Sequence, residues 1–116
     1  MSDLSELSDK LNQFAIDRDW NQFHTPKNLA MALSAETGEL LEIFQWLSPD
    51  ESAALSEDKH QHVREELADI FLYTLRLSPK LDIDLIAAAN EKMESNALKY
   101  PSDKVRGSAK KYNEYE

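Results

Sequence analysis

The chain has 116 residues, 41% hydrophobic and 30% charged, with a formal net charge of −9 at pH 7. That length and balance suit one globular domain with a modest core and exclude a largely disordered chain. Cysteine is absent, which rules out disulfides, thiolate zinc sites and cysteine nucleophiles, and the acidity argues against binding nucleic acid polymers or an anionic membrane.

Two glycines and four prolines punctuate the chain, and its apolar residues recur at helical rather than alternating spacing, so the expected class is all-α. The first helix is predicted over residues 4–19, with Asp3 as N-cap, Glu6 placed for a capping box, and a stripe of Leu4, Leu7, Leu11, Phe14 and Ala15. After a link over 20–25, Thr25 caps a second helix that opens on Pro26 and reaches Leu47. Ser48-Pro49 marks another start, one short turn through Ala54. The third long helix is predicted over 57–77 and ends at Ser78-Pro79. The fourth covers 83–99 and stops before Pro101. Residues 1–101 make the helical domain, and 102–116 a polar tail without an apolar stripe, expected to be loosely ordered alone. Neither a signal-peptide pattern nor a membrane-length apolar run is present, so a cytoplasmic location is expected.

In the third long helix, Ile70, Phe71, Leu72, Tyr73, Leu75 and Leu77 are apolar almost all the way round. Such a helix needs cover on most sides, more than four helices of one small domain supply. A homo-oligomer is expected, either a dimer or a dimer of dimers.

Two acidic pairs interrupt these apolar stretches: Glu36-Thr-Gly-Glu39 and Glu66-Leu-Ala-Asp69. The i, i+3 spacing puts both members of a pair on one helical face, about 60° apart. Four carboxylates beside a core repel one another unless protonated or bridged by cations. With oxygen ligands and no inward histidine, Mg²⁺ is favoured, with Mn²⁺ as substitute, over iron or zinc. Mg²⁺ held by few carboxylates completes its shell with water and substrate phosphate. A phosphate-processing enzyme is therefore expected, whose anionic substrate arrives with divalent cations. Glu65 and Glu42 lie off these faces by about 100° and 60° and read as exposed acids, Glu42 the closer case.

Other residues carry weaker signals. Glu57-Asp-Lys-His60 has the spacing of a di-iron ligand pair but stands alone in a polar stretch, so His60 and His62 read as solvent-facing. Among Trp20, Phe23, His24 and Trp46, Phe23 reads as core, while the two tryptophans, near chain turns, offer faces on which a base could stack. Lys92, Asn96 and Lys99 share one face of the fourth helix, and the basic segment 104–111 carries Gly107 and Ser108, which would let the backbone wrap a ligand. No phosphate-binding glycine loop or nucleophile elbow occurs. The rival reading is a non-catalytic helical interaction or regulatory module with an acidic face.

Glu36-x-x-Glu39 and Glu66-x-x-Asp69, with residues 40–65 between them, resemble the paired acidic motif of the MazG-like all-α nucleotide pyrophosphohydrolases. Arg18-Asp-Trp-Asn-Gln-Phe-His-Thr-Pro-Lys-Asn28, Phe44-Gln-Trp46, Lys92-Met-x-x-Asn96, Lys99-Tyr-Pro101 and Arg106-Gly-Ser-Ala-Lys-Lys-Tyr112 are similar to its dCTP pyrophosphatase branch. The resemblance implies a four-helix MazG-like bundle completed by oligomerisation, with a tetramer favoured. It implies Mg²⁺-dependent cleavage of a nucleoside triphosphate between the α- and β-phosphates, in the service of nucleotide-pool house-cleaning. Carried onto this chain, it makes Glu36, Glu39, Glu66 and Asp69 the metal ligands; one of these carboxylates, Glu39 first and Glu36 next, is expected to accept the proton of the attacking water. Trp20 and Trp46 would help form the base pocket. Tyr73, Lys92, Asn96 and Tyr100 would contact sugar or phosphates, and Arg106, Lys110 and Lys111 would close over the triphosphate. One departure weakens the expected dCTP preference: Leu11 stands where that branch carries a histidine near the base, and polar readout gives the sharpest selectivity.

Overall fold

A computed structural model describes residues 2–109; Lys110 and Lys111 of the expected tail contacts lie outside the described residues. The described chain is helical without strands: α1 (Asp3–Asp17), α2 (Pro26–Phe44), α3 (Pro49–Ser52), α4 (Glu57–Lys80), α5 (Leu85–Lys99) and α6 (Ser102–Val105). Residues up to Asp82 form one compact unit and those from Ile83 a second.

Ser2, not Asp3, caps α1: its side chain accepts the Ser5 N–H at 3.1 Å, leaving Asp3 and Glu6 in the first turn, where the helix dipole favours carboxylates. The helix closes two residues early, in a Schellman turn. The Trp20 N–H donates to the Ala15 carbonyl at 2.9 Å and the Asp19 N–H to that of Ile16 at 3.1 Å. Asp19 adopts φ 53° there, a position where glycine is usual. This turn ties the Trp20 backbone to the end of α1, and the Trp20 ring meets Phe14 edge-on, with centroids 5.7 Å apart.

Thr25 caps α2 as expected, accepting the Asn28 N–H at 3.1 Å, with Pro26 in the first turn. Termination at Phe44 instead of Leu47 leaves Trp46 in a turn, 86% exposed. The predicted short start at Ser48-Pro49 is α3, with a complete capping box. The Glu51 N–H donates to Ser48 Oγ at 3.1 Å, and the Ser48 N–H donates to Glu51 Oε1 at 2.9 Å.

Helix α4 passes through Ser78-Pro79, against expectation, and ends at Lys80. Pro79 lacks the N–H that would reach the Leu75 carbonyl, and the Ser78 hydroxyl donates to that carbonyl at 3.5 Å instead. Only one ladder bond is lost so close to the helix end.

Helix α2 packs most extensively on α4, and α1 also contacts α4. Ala15, Leu29 and Leu75, one from each helix, are the buried apolar residues of this unit. In the single chain Leu67 and Phe71 on α4 are exposed, as are Met31 and Leu41 on α2.

In the second unit α5 begins at Leu85, two residues later than expected, because Asp84 supplies the cap and accepts the Ala87 N–H at 3.1 Å. Of the tail, residues 102–109 are described: after α6 the Ser108 N–H closes on the Val105 carbonyl at 2.8 Å. Arg106 (φ −52°, ψ 120°) and Gly107 (φ 77°) occupy the central positions of a type II turn, the second of which favours glycine.

Candidate functional site

Packing of α2 on α4 brings Glu36, Glu39 and Glu66 together, with carboxylate oxygens of all three within 4.8 Å of one another. Glu36 and Glu66 are half-buried and Glu39 is exposed. The Oε2 atoms of Glu36 and Glu66 are buried with no hydrogen-bond partner. The Glu36 carboxyl is pushed up to about 8, first by its hydrogen bond with Glu66, then by burial, and further by the charges of Glu39, Asp69 and Glu66. These two facts are one: two carboxyls can share a hydrogen bond only while one keeps its proton, and once both ionise their buried oxygens face no donor. A divalent cation would supply the missing positive charge to every one of these oxygens, so the donor set fits a hard metal ion.

Asp69 is half-buried and is not one of that group of three. Its charge nevertheless raises the pKa values of both Glu36 and Tyr73. The Tyr73 phenol is held above its ordinary range by burial first, then by Glu36, Asp69 and Glu39, so it remains a hydrogen-bond donor beside the acids.

These carboxylates line two cavities. One, of about 260 Å³, is lined by Glu36 and Asp69 together with the apolar Leu11, Phe14, Trp20 and Leu72, and by His24, Tyr73 and Arg76. The other, of about 390 Å³, is more open and is lined by Glu39, Glu42, Ile43, His62 and Glu66. Glu42 and His62 are exposed, as expected, yet they join this second cavity. Spacing already held the signal: His62, Glu66 and Asp69 fall at i, i+4, i+7, and Glu42 stands three residues after Glu39.

Sequence reasoning missed Arg76. Only 8% exposed, it donates from Nε to His24 Nδ1 at 3.2 Å and from Nη1 to Asn12 Oδ1 at 2.9 Å, and its Nη2 donates to Asn21 Oδ1. Nothing near in sequence announces this, because the partners lie 52 to 64 residues away. Accepting at Nδ1 leaves a neutral His24 with its proton on Nε2. Burial, then the Arg76 and Lys80 charges, hold its pKa below the ordinary value. Phe23, expected in the core, is 58% exposed, and its carbonyl accepts the Asn28 side-chain amide at 2.9 Å.

Of the other expected site residues, Trp20 lines the first cavity and Trp46 lines neither. Lys92, Asn96, Tyr100 and Arg106 belong to the second unit, where Lys92 and Arg106 are exposed and Asn96 and Tyr100 half-buried. Glu57, His60 and Glu65 are exposed, and Glu65 accepts from Gln61 at 3.2 Å. Among the described residues no helix is long and apolar enough to cross a membrane.

A family model described as MazG-like matches residues 31–115. The chain is 45% identical over 105 residues to a Bos taurus protein named dCTP pyrophosphatase 1, covering 88% of this chain and 62% of that one. The Homo sapiens protein of that name is 40% identical over 104 residues, covering 88% and 61%. The matched region thus spans less than two thirds of those relatives. In crystal structures the fold recurs in a pyrophosphatase from Archaeoglobus fulgidus, with a TM-score of 0.82 and 45% identity over 87% of this chain and 94% of that one.

Proposed function

This chain belongs to the MazG-like family, and from that membership we propose that it is a pyrophosphohydrolase of deoxynucleoside triphosphates, dCTP foremost, that releases the monophosphate and pyrophosphate. The observation that carries this reading is the convergence of Glu36, Glu39 and Glu66 with two buried oxygens lacking partners, the three lining an aromatic-walled cavity and an open acidic one. Similarity to proteins named dCTP pyrophosphatase supports the substrate.

Glu36, Glu39 and Glu66, with Asp69 beside them, hold Mg²⁺, for which Mn²⁺ can substitute. When bound, the metal supplies Lewis acidity toward the triphosphate and screens its charge from these acids. The chain's own groups do the rest. Trp20 offers a face for the base, and the neutral Tyr73 phenol can donate to sugar or phosphate. Glu39, the exposed carboxylate of the group, accepts the proton of the attacking water. Water oxygen bonds to the α-phosphorus, the α–β phosphoanhydride bond breaks, and pyrophosphate departs with the bond's electron pair. Trp46, outside both cavities of the single chain, is the second tryptophan assigned to the base. In this reading Lys92, Asn96 and Tyr100 contact sugar or phosphates, and the cations Arg106, Lys110 and Lys111 offset the triphosphate charge.

The exposed apolar residues Met31, Leu41, Leu67 and Phe71 support assembly into an oligomer, a tetramer in this reading. The setting is cytoplasmic, and the role is removal of surplus or non-standard deoxynucleotides. The test is incubation of dCTP and the other triphosphates with and without Mg²⁺, with products resolved by phosphorus NMR. Monophosphate and pyrophosphate are expected only with metal. Diphosphate and orthophosphate would place attack at the γ-phosphate and refute the reaction.

A further inference from the structure

Arg76 is a buried cation whose three partners, Asn12, Asn21 and His24, all lack negative charge. A guanidinium carries five N–H donors, and these contacts use three of them. Burying a positive charge without a counter-ion is costly, and the cost is hard to explain in a residue that serves only as a staple between α4 and α1, since a neutral side chain could hold the same acceptors. Arg76 also lines the cavity that Glu36 and Asp69 line, and whose walls include Phe14 and Trp20. Leu11, in the same cavity, contributes no polar group. Here the donor-bearing groups are Arg76, the Nε2–H of His24, the Trp20 indole and the Tyr73 phenol.

We propose that Arg76 is a specificity-determining residue of this cavity, reading two adjacent acceptors on the edge of a pyrimidine base, the N3 and O2 of cytosine. The proposal rests on the nucleotide reading above and deepens it. Asn12, Asn21 and His24 hold the guanidinium plane in place, so that its two remaining N–H groups meet the base without further loss of side-chain freedom. Thymine and uracil present an N3–H donor at that edge and leave the guanidinium facing another donor. A site that pairs buried polar groups with its ligand rejects an analogue lacking the partner far more strongly than an apolar pocket does. Selectivity for cytosine thereby arises from α4, without a polar group at Leu11.

The test compares kcat/KM for dCTP, dTTP and 3-deaza-dCTP, in which a C–H replaces the N3 acceptor, on wild-type protein and on Arg76→Lys and Arg76→Gln, each checked for helicity. Wild-type protein is expected to prefer dCTP over 3-deaza-dCTP by about tenfold or more. Either folded variant should shrink that ratio to within about twofold, with dCTP losing more than dTTP. An unchanged ratio in a folded variant, or equal losses on all three substrates, overturns the proposal and leaves Arg76 a structural staple. Equal rates of wild-type protein on dCTP and 3-deaza-dCTP overturn it without any variant, while the hydrolase reading survives. Failure of wild-type protein to release pyrophosphate from any of the three removes the nucleotide reading, and this proposal with it.

Discussion

Replacing Glu36 by glutamine should stabilise the cation-free protein and abolish its response to Mg²⁺. The Glu36 carboxyl moves from an ordinary 4.5 to about 8 in the folded chain. Its folded pKa lies above its unfolded one, so between those values the native state binds more protons. Stability therefore falls as pH rises through that window and is lowest above 8. Each pH unit inside the window is worth about 1.4 kcal/mol, so at pH 7 the penalty has a ceiling of about 3 kcal/mol. Water reaching the half-buried group reduces this to about 1–2 kcal/mol. Glutamine keeps the shape, carries no charge, and can donate its amide to the orphaned Glu66 oxygen. In chelator at pH 7 the variant should melt about 5 °C or more above wild type, and its melting temperature should vary less between about pH 5 and pH 8. On adding millimolar Mg²⁺, wild type should gain stability and the variant little. A variant melting below wild type in chelator, or a wild-type melting temperature flat across that range, would refute the carboxyl-sharing argument.

Further outcomes follow from the same geometry. Glu39→Ala and Asp69→Ala should abolish pyrophosphate release while leaving the far-ultraviolet spectrum helical; wild-type turnover by purified Asp69→Ala would remove that residue from the metal site. Leu29→Ala should cost about 2–5 kcal/mol in chemical denaturation, since its side chain is among the few fully buried ones. Ser48→Ala removes a cap worth about 1 kcal/mol. The same change should raise the Glu51 pKa in an NMR titration, because the Ser48 backbone and side chain are what hold that carboxyl below its ordinary value. A depressed folded pKa gives stability that is present above the unfolded value and fades as pH falls through the folded one, so the variant should also be less acid-sensitive at this cap.

Local rules carried much of the fold. Thr25-Pro26, Ser48-Pro49 with Glu51, and Ser56 before Glu57 use side chains to satisfy their own helix starts, so the starts of α2, α3 and α4 are legible from a few residues. The i, i+3 acids were legible for the same reason, because helical geometry alone puts each pair on one face. Helix ends were less so. Asp19 takes a left-handed turn that composition would assign to glycine, and Pro79 sits inside α4 because Ser78 reaches the carbonyl it leaves bare.

What only tertiary structure decided is which groups meet across helices. Both acidic pairs could be read from the chain, but the meeting of Glu36 with Glu66, and the raised pKa of Glu36 that follows from it, depends on how α2 packs on α4. Arg76 belongs wholly to this second class. Its sequence neighbourhood reads as one more apolar helix, and its partners come from α1 and the loop after it. Sequence spacing encodes contacts along one helix because backbone geometry repeats. Contacts between helices depend on packing register and on burial of charge, which no short window of sequence contains.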